Sequence, residues 1–178
     1  MAKKNGMADP SRLKPADQKT EMFRVVVETP KGSRNKFAFD PKLRVFELRR
    51  VLPSGMTFPY DFGFLPSTEA DDGDPVDVLV LMDEPAFPGC VVMCRPIGVI
   101  QGEQVEAKKK TRNDRIIAIE KDAHSWADIK TVDELGNEFS KELEAFFVNY
   151  HKLTGKKYRV IGLKGPKAAV DLMKSSQR

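Results

Sequence analysis

The sequence predicts an α+β domain built on a small antiparallel β-sheet or barrel with flanking α-helices. Three observations lead to this prediction. Short β-branched or alternating segments recur up to about residue 120, and the apolar period then changes from two to about 3.6 residues. The 178 residues are enough for one hydrophobic core but too few for two comfortable domains. The predicted domain covers residues 21–178.

Three strands are predicted in the first third of this domain. Residues 23–28 are rich in β-branched side chains, and Pro30 and Gly32 end the segment. Residues 35–40 alternate polar and apolar side chains, which predicts the second strand. Residues 43–52 form the third predicted strand, because the Pro-Ser-Gly sequence that follows breaks the pattern.

The middle of the chain adds three strands after an irregular segment. Residues 53–75 are rich in proline, glycine and aromatic side chains, which is typical of a packed pocket wall rather than of a helix. Residues 77–82 are predicted to form a buried strand. Residues 90–100 are predicted as a strand interrupted at Pro96, and residues 115–120 as an alternating strand.

Two helices and a late strand are predicted near the C-terminus. Asn137 is the expected N-cap of the first helix, which should end near Gly155. The apolar face of this helix consists of Phe139, Leu143, Phe146, Phe147 and Tyr150. Residues 157–161 are expected to form a strand, and residues 166–173 a short final helix that begins at a proline.

The charge of the chain lies mostly in its N-terminal segment. The net charge is +4, and residues 1–20 hold five Lys or Arg against two Asp, which leaves only +1 for the rest. This polar segment is predicted to be a disordered basic tail, either plainly solvated or attracted to RNA or membrane. A nearly neutral domain does not favour nucleic-acid binding. No apolar run approaches the roughly 20 residues that span a bilayer, so we expect no nucleic-acid or membrane partner.

Cys90 and Cys94 lie four residues apart on one predicted strand. Four residues of a strand span about 13 Å, whereas a disulfide requires Cα atoms within about 7 Å. We therefore predict two reduced core cysteines rather than a disulfide or a pair of metal ligands. The N-terminus also lacks the apolar stretch of a secretory signal. Both observations favour a cytoplasmic protein.

An acid-rich segment contains Glu69, Asp71, Asp72, Asp74 and Asp77. It combines a Gly-Asp-Pro turn with the start of an apolar strand, which would bring three carboxylates to one end of that strand. Crowded carboxylates favour bound cations, and their hard oxygen atoms suit Mg²⁺ or Mn²⁺. The alternative is an ordinary Asp-rich surface turn. The segment lacks EF-hand spacing, and the chain contains no P-loop motif.

The six residues from Asp72 to Asp77 read Asp-Gly-Asp-Pro-Val-Asp and resemble the signature of the family I soluble inorganic pyrophosphatases. Other similar segments follow in the order of this family, from about Phe23 to about Gly162. These segments are Val27-Glu28-Thr29-Pro30, Asn35-Lys36, Phe58-Pro59-Tyr60-Asp61-Phe62-Gly63-Phe64, Phe87-Pro88-Gly89-Cys90, Arg95-Pro96-Ile97-Gly98-Val99 and Phe146-Phe147-Val148-Asn149-Tyr150.

The resemblance implies a small five-stranded antiparallel β-barrel of oligonucleotide-binding type with flanking α-helices, assembled into a homo-oligomer such as a hexamer. The implied reaction is hydrolysis of pyrophosphate to two phosphates by direct attack of a metal-activated water. Mg²⁺ is the expected cofactor, with Mn²⁺ or another divalent ion as the alternative. Two other functions remain open on this scaffold: hydrolysis of another diphosphate or polyphosphate, and phosphate binding without catalysis.

The same resemblance assigns metal-binding roles to several acids. Asp72 and Asp77 would hold metal ions, and Asp74 would bind metal and act as the general base. Glu28 would support metal-bound waters, and Asn113 would offer a neutral carbonyl oxygen to a metal. A simpler interpretation of the glutamate is that it only caps the end of a strand.

The resemblance also assigns three substrate-binding residues. Lys36, Arg50 and Tyr150 would bind the phosphate groups, and above all the leaving phosphate, through charge-assisted hydrogen bonds. Simpler interpretations remain for each residue. The two cations could be ordinary surface side chains, and the tyrosine could be a core residue of the first helix.

Several residues depart from the family pattern. Ala38 stands where an acid is common, and Phe58 and Phe62 replace two tyrosines, so two hydroxyl donors are absent. Another acid is expected further along the chain, where either Glu103 or Glu106 could substitute. These departures leave the primary acidic cluster intact. They are compatible with slower turnover, a different metal or a larger phosphate substrate.

An expected Asp-x-Lys pair reads Asn113-Asp114-Arg115 in this chain. The arginine keeps the positive charge as a planar fork. The aspartate is one residue out of register and should face the other side of the strand. His151 stands where a lysine is expected. Residues 108–110 are three lysines, which we expect to form a solvated loop or, alternatively, a basic flap over an anionic substrate.

Overall fold

The computed structural model describes residues 9–16 and 22–178. Within these ranges it contains nine β-strands and two α-helices. The strands are β1 (Phe23–Thr29), β2 (Asn35–Asp40), β3 (Val45–Val51), β4 (Asp61–Phe64), β5 (Asp77–Leu81), β6 (Val91–Glu106), β7 (Lys109–Arg112), β8 (Arg115–Glu120) and β9 (Lys157–Lys164). The helices are α1 (Gly136–Lys152) and α2 (Pro166–Ser175).

Five strands form a closed ring. β1 pairs with β4, β4 with β5, β5 with β8, β8 with β6, and β6 with β1. This ring confirms the predicted five-stranded barrel. The expectation of an entirely antiparallel barrel is wrong, because β5 and β8 are parallel. Parallel neighbours need a long crossover, and the stretch that carries β6 and β7 provides it.

β6 is longer than predicted and links the barrel to its surroundings. The strand runs through Pro96 without ending, but its register with β8 shifts between Pro96 and Gly98. Proline cannot donate a hydrogen bond to a sheet ladder, so the pairing shifts instead of breaking. Beyond the barrel, β6 pairs with both β7 and β9. The predicted interruption is therefore a local irregularity in a sixteen-residue strand.

β2 and β3 form a separate two-stranded hairpin, in which Lys36 pairs with Arg50. The bounds of β2 and β8 coincide with the predicted strands. The irregular segment contains a strand that the sequence did not predict, β4, whose four residues are all buried. β7 was also missed, since Lys109 and Lys110 lie on it rather than in a loop.

Helix α1 packs the predicted apolar face against the barrel. Phe139, Leu143 and Phe147 are all buried in the larger core cluster. The predicted N-cap is wrong, because α1 begins at Gly136 directly after a short 3-10 helix, and Asn137 lies inside its first turn. The second helix, α2, has the expected proline at its first position and packs Ala169 against the other core cluster.

Part of the predicted tail lies against the domain. Pro10–Arg12 forms a short 3-10 helix, and the Ser67 amide donates to the Ser11 carbonyl oxygen at 2.9 Å. The Ser67 hydroxyl donates to the Leu13 carbonyl oxygen at 3.0 Å. The expectation of disorder is therefore wrong for residues 9–16. The rest of the predicted tail, residues 1–8 and 17–20, lies outside the described residues.

Both cysteines are free, as predicted. Cys94 is buried in the core, and Cys90 is partly buried. Burial raises the pKa of the Cys94 thiol well above its ordinary value, so the group stays protonated and behaves as a small apolar side chain. In the part of the chain that the structure describes, no helix is long and apolar enough to cross a membrane.

Candidate active site

The predicted site residues come together at one end of the barrel. A cavity of about 640 Å³ is bounded by the acidic turn before β5, the β2–β3 hairpin, the β6–β7 hairpin and the C-terminal part of α1. Seven of the eight predicted residues line it: Lys36, Arg50, Asp72, Asp74, Asp77, Asn113 and Tyr150. The eighth, Glu28, lines an adjoining cavity of about 760 Å³. The two cavities share Lys36, Phe62, Asp74 and Asp77.

The acidic turn is built by its backbone. Gly73 has a φ angle of 88°, which favours glycine, and its amide donates to the Ala70 carbonyl oxygen at 2.9 Å. The Asp74 amide donates to Oδ1 of Asp72 at 3.3 Å. Asp77 follows as the first residue of β5. The turn and the strand therefore hold three carboxylates at the mouth of one cavity.

Two partly buried carboxyl groups of this site are hard to ionise. Burial raises the pKa of Asp77 to about 6, although the nearby charges of Arg115 and Lys36 oppose the rise. Burial also raises the pKa of Glu28 to about 7, against the opposing hydrogen bond that the Phe39 amide donates to it. A desolvated group of acids favours cations in its vicinity, because cations stabilise the ionised forms.

The donor set fits a hard divalent ion that keeps part of its water shell. Among residues 9–16 and 22–178, no three His, Cys, Asp or Glu side chains converge closely enough to form a ready cage for a metal. Mg²⁺ does not need such a cage, because it usually binds one or two carboxylates together with waters and substrate phosphates. Asp72, Asp74 and Asp77 offer this type of carboxylate around the cavity.

Lys36 brings a positive charge next to the acids. Its Nζ lies 5.3 Å from the ring centroid of Tyr150 and 5.6 Å from that of Phe62. Burial alone would lower the pKa of Lys36, but the interactions with Tyr150, Asp77 and Glu28 outweigh this effect and raise it. The ammonium group therefore stays charged while it is partly enclosed by aromatic rings.

The basic residues that line the cavity include predicted ones and one that was not predicted to lie there. Arg50 lies across the hairpin from Lys36. Lys109 also lines the cavity, although the expectation was a solvated loop over residues 108–110. Ala107 and Lys108 form the turn before β7, with φ angles of 47° and 67°. The hairpin therefore brings one lysine of the run to the cavity.

The departures from the family pattern occupy defined places. Ala38 lines the cavity that contains Glu28, so a longer side chain there would enter it. Phe58 is buried, with its ring centroid 5.7 Å from that of Phe62 and 5.9 Å from that of Tyr150. Phe58 therefore packs against Tyr150 and Phe62 faces Lys36, and neither phenylalanine contributes a hydroxyl group.

Asn113 and Asp114 face different partners. Asn113 is buried, and its Nδ2 donates to Oε1 of Gln104 at 3.0 Å. Oδ1 of Asp114 accepts from the Gly102 amide at 3.0 Å, and its Oδ2 accepts from Arg112 at 2.7 Å. The two residues lie between β7 and β8 rather than on a strand, so strand alternation does not set their directions, although the out-of-register aspartate does have partners different from those of Asn113.

Sequence reasoning missed a buried network beside Asp77. Gln104, Arg115 and His151 line the cavity, and Arg115 also contacts Tyr158. The sequence shows the unusual arginine and histidine, but the partners lie far apart along the chain. The contacts of Arg115 with His151 and Tyr158 join residues 36 and 43 positions apart. These side chains come together only because β6 pairs with β8 and β9, and α1 packs against β9.

Comparison with known proteins identifies the family. The sequence profile described as Inorganic pyrophosphatase matches residues 25–178. The chain is 38% identical to the inorganic pyrophosphatase of Synechocystis over 165 residues. These residues are 93% of this chain and 95% of the relative. The chain belongs to the inorganic pyrophosphatase family. The corresponding protein of Methanosarcina acetivorans is 39% identical over 153 residues, or 86% of this chain and 89% of the relative.

Solved inorganic pyrophosphatases share the fold. The crystal structure of the Thermus thermophilus protein matches with a TM-score of 0.86 and 34% sequence identity, over 95% of this chain and 97% of that chain. The Neisseria gonorrhoeae protein matches with a TM-score of 0.82 and 30% identity, over 92% of this chain and 94% of that chain. Membership of the inorganic pyrophosphatase family supports hydrolysis of pyrophosphate and implies dependence on a divalent metal without specifying the ion.

Proposed function

We propose that this chain hydrolyses inorganic pyrophosphate to two phosphates by direct attack of water, with Mg²⁺ as its cofactor. One observation carries the proposal: the acids of the turn before β5 and the cations of the β2–β3 hairpin line the same cavity. Pyrophosphate is small and highly anionic. A site for its hydrolysis must supply positive charge to the phosphates and a base to the attacking water, and this cavity can supply both.

Lys36, Arg50 and Tyr150 are the proposed substrate-binding residues. The lysine and the arginine extend from neighbouring strands, and the tyrosine reaches the cavity from α1. Their donors would bind phosphate oxygens and stabilise the charge that develops on the leaving phosphate. The hairpin, the helix and the acidic turn are separate elements, so the packing of all three sets the distance between the cations and the acids.

Asp74 is the proposed general base. Its side chain is exposed and lines both cavities. Within the described part of the chain, its carboxylate accepts no hydrogen bond and joins no ion pair, whereas its amide is tied to Asp72. The backbone is thus fixed while the carboxylate oxygens remain available to orient a water and accept its proton.

Asp72, Asp77 and Asp74 are the proposed metal ligands, with Glu28 acting through water and Asn113 through its carbonyl oxygen. A bound divalent ion supplies positive charge to the phosphates and lowers the pKa of water. The acids would contribute the negative charge and the oxygen atoms that hold such an ion. Glu28 accepts the Phe39 amide at 2.8 Å, which fixes its position at the edge of the site.

Phosphate release tests this proposal directly. Purified protein is incubated with pyrophosphate and Mg²⁺, Mn²⁺ or Zn²⁺ in parallel, with EDTA as the metal-free control. We expect rapid phosphate release with Mg²⁺ and none with EDTA. Faster release from tripolyphosphate or an organic diphosphate would assign the site to another phosphoanhydride. No release from any of these compounds would indicate a phosphate-binding protein without turnover.

We also propose that residues 21–178 act as one domain that assembles into a homo-oligomer such as a hexamer in the cytoplasm. Leu43, Leu48 and Val51 of the hairpin region have 65%, 54% and 52% of their surface exposed, which supports an apolar contact between copies. The two free cysteines fit a reducing compartment. Sedimentation analysis tests the assembly, and a monomer at micromolar concentration would contradict it.

A further inference from the structure

Arg115 is a buried cation held on several sides. Its side chain is only 3% exposed, and it lies at the start of β8, where it lines the cavity. The guanidinium carbon is 4.2 Å from the ring centroid of Phe147 and 5.1 Å from that of Tyr158. Aromatic faces at these distances attract a guanidinium group. They also restrict its movement, since Phe147 and Tyr158 both belong to the core.

Hydrogen bonds fix the orientation of the guanidinium group. Nη1 donates to the Tyr158 hydroxyl at 2.8 Å and to the Asn113 carbonyl oxygen at 3.3 Å. Nη2 lies 3.1 Å from Nε2 of His151. A guanidinium can only donate, so the imidazole nitrogen is the acceptor. Burial first, and then the charge of Arg115, lowers the pKa of His151 to about 3, so the neutral imidazole is the form that is present.

The remaining nitrogen of this group faces Asp77. Nε lies 3.3 Å from Oδ2 of Asp77, yet it has no hydrogen-bond partner, and it is the one buried side-chain nitrogen or oxygen in the described ranges of which this is true. The contact with Asp77 is therefore mainly an interaction between charges. A fixed positive charge at this distance compensates the carboxylate before any metal ion arrives.

We propose that Arg115 is a positioning residue, a fixed internal cation that holds the Asp77 carboxylate and limits the affinity of the site for divalent ions. The proposal rests on the proposed function in taking Asp77 as a metal ligand. Since one oxygen of Asp77 faces the guanidinium, a metal ion competes with Arg115 for the charge of this carboxylate. The network of Phe147, Tyr158 and His151 prevents the guanidinium from moving away.

Binding of Mn²⁺ to the substrate-free protein tests the competition. Isothermal titration calorimetry at about pH 8 measures the Mn²⁺ affinity of three proteins. They are the parental protein, Arg115→Gln, which removes the positive charge, and Arg115→Lys, which keeps it. We expect Arg115→Gln to bind the first Mn²⁺ about tenfold or more tightly, because a repelling charge next to the metal is lost. Arg115→Lys should stay within about threefold of the parental affinity, because the charge remains. Unchanged or weaker binding by folded Arg115→Gln would overturn the proposal.

A second experiment compares the stability of two aspartate variants. It requires neither bound metal nor correctly folded Arg115 variants. Asp77→Asn and Asp72→Asn are unfolded with urea in the presence of EDTA. Asp77→Asn should lower the unfolding midpoint, because it leaves Arg115 buried without its counter-charge. Asp72→Asn should lower it less, since within the described residues Asp72 joins no ion pair, its Oδ1 accepts from the Asp74 amide, and the charge of Arg115 acts on it only from a longer distance.

The outcomes separate the two proposals. If Asp77→Asn is as stable as Asp72→Asn or more stable, Arg115 does not compensate Asp77, and the inference is wrong. If the parental protein binds no Mn²⁺, the proposed metal-dependent function fails, while the urea comparison still decides the role of Arg115. A lower midpoint for Asp77→Asn together with tighter Mn²⁺ binding by Arg115→Gln supports the inference.

Discussion

Replacement of Asp74 by Asn separates catalysis from stability. The change removes one negative charge and the ability to accept a proton, but it keeps the size and shape of the side chain. Asp74 is exposed, and its carboxylate makes no hydrogen bond or ion pair within the described residues. The free energy of unfolding should therefore change by no more than about 0.5 kcal/mol.

The effect of Asp74→Asn on turnover should be much larger. A positioned general base contributes roughly 100- to 10,000-fold to a rate, so the turnover number for pyrophosphate should fall by a factor in this range. Lys36, Arg50 and Tyr150 are unaffected, so the Michaelis constant should change little. Steady-state phosphate release with saturating Mg²⁺ measures the rate, and urea unfolding measures the stability.

Glu69→Gln provides the matched control. Glu69 belongs to the same acidic segment, but its carboxylate pairs with Arg178 at the surface and does not line the cavity that holds the turn acids. This variant should keep its turnover within about twofold of the parental value. Near-parental phosphate release by Asp74→Asn would refute the assigned base. Equal losses in the two variants would show that the effect comes from charge alone.

Three further predictions concern neighbouring residues. Ala38→Glu places an acid in the cavity that contains Glu28, so the Mg²⁺ concentration for half-maximal activity should shift; an unchanged titration curve would show that this position does not influence the site. Tyr158→Phe removes the hydroxyl that accepts from Arg115 at 2.8 Å and should lower the free energy of unfolding by about 1–3 kcal/mol in a urea titration. His151 has a folded-state pKa of about 3 against 6.5 for the ordinary group. The unfolded state therefore binds the extra proton, and this residue reduces stability as the pH falls from 6.5 towards 3, by up to about 1.4 kcal/mol per pH unit. His151→Gln should show a smaller loss of stability over this range, and parallel pH profiles would contradict the assignment of a neutral imidazole.

The success of the strand predictions follows from local signals. The predicted bounds of β2 and β8 are correct, and both strands are short apolar segments bounded by polar residues, although five of the six residues of β8 are buried and do not alternate. β4 has only four residues, all buried and set among prolines and aromatics, so neither alternation nor a long apolar run marks it. β7 is rich in lysine and exists because it pairs with β6. Such pairing depends on the partner strand, and the local sequence does not reveal it.

The candidate site also has one part that the sequence predicts and another part that it does not. Asp72, Asp74 and Asp77 are neighbours in sequence, so a turn that leads into a strand is enough to predict that they lie together. The network around Arg115 requires β8, β9 and α1 to meet at one place. Its contacts with His151 and Tyr158 are set by barrel closure and helix packing, which no local pattern encodes.

Anomalous diffraction from crystals soaked with Mn²⁺ tests the central claim most directly. We expect a peak in the cavity beside Asp72 and Asp77, between these acids and Lys36, with carboxylate oxygens at about 2.0–2.6 Å from the ion. A soak with Mn²⁺ and a non-hydrolysed pyrophosphate analogue should strengthen this peak, because the phosphates complete the ligand set. If Mn²⁺ peaks appeared elsewhere in the crystal but none appeared at these acids in either soak, the result would contradict the account.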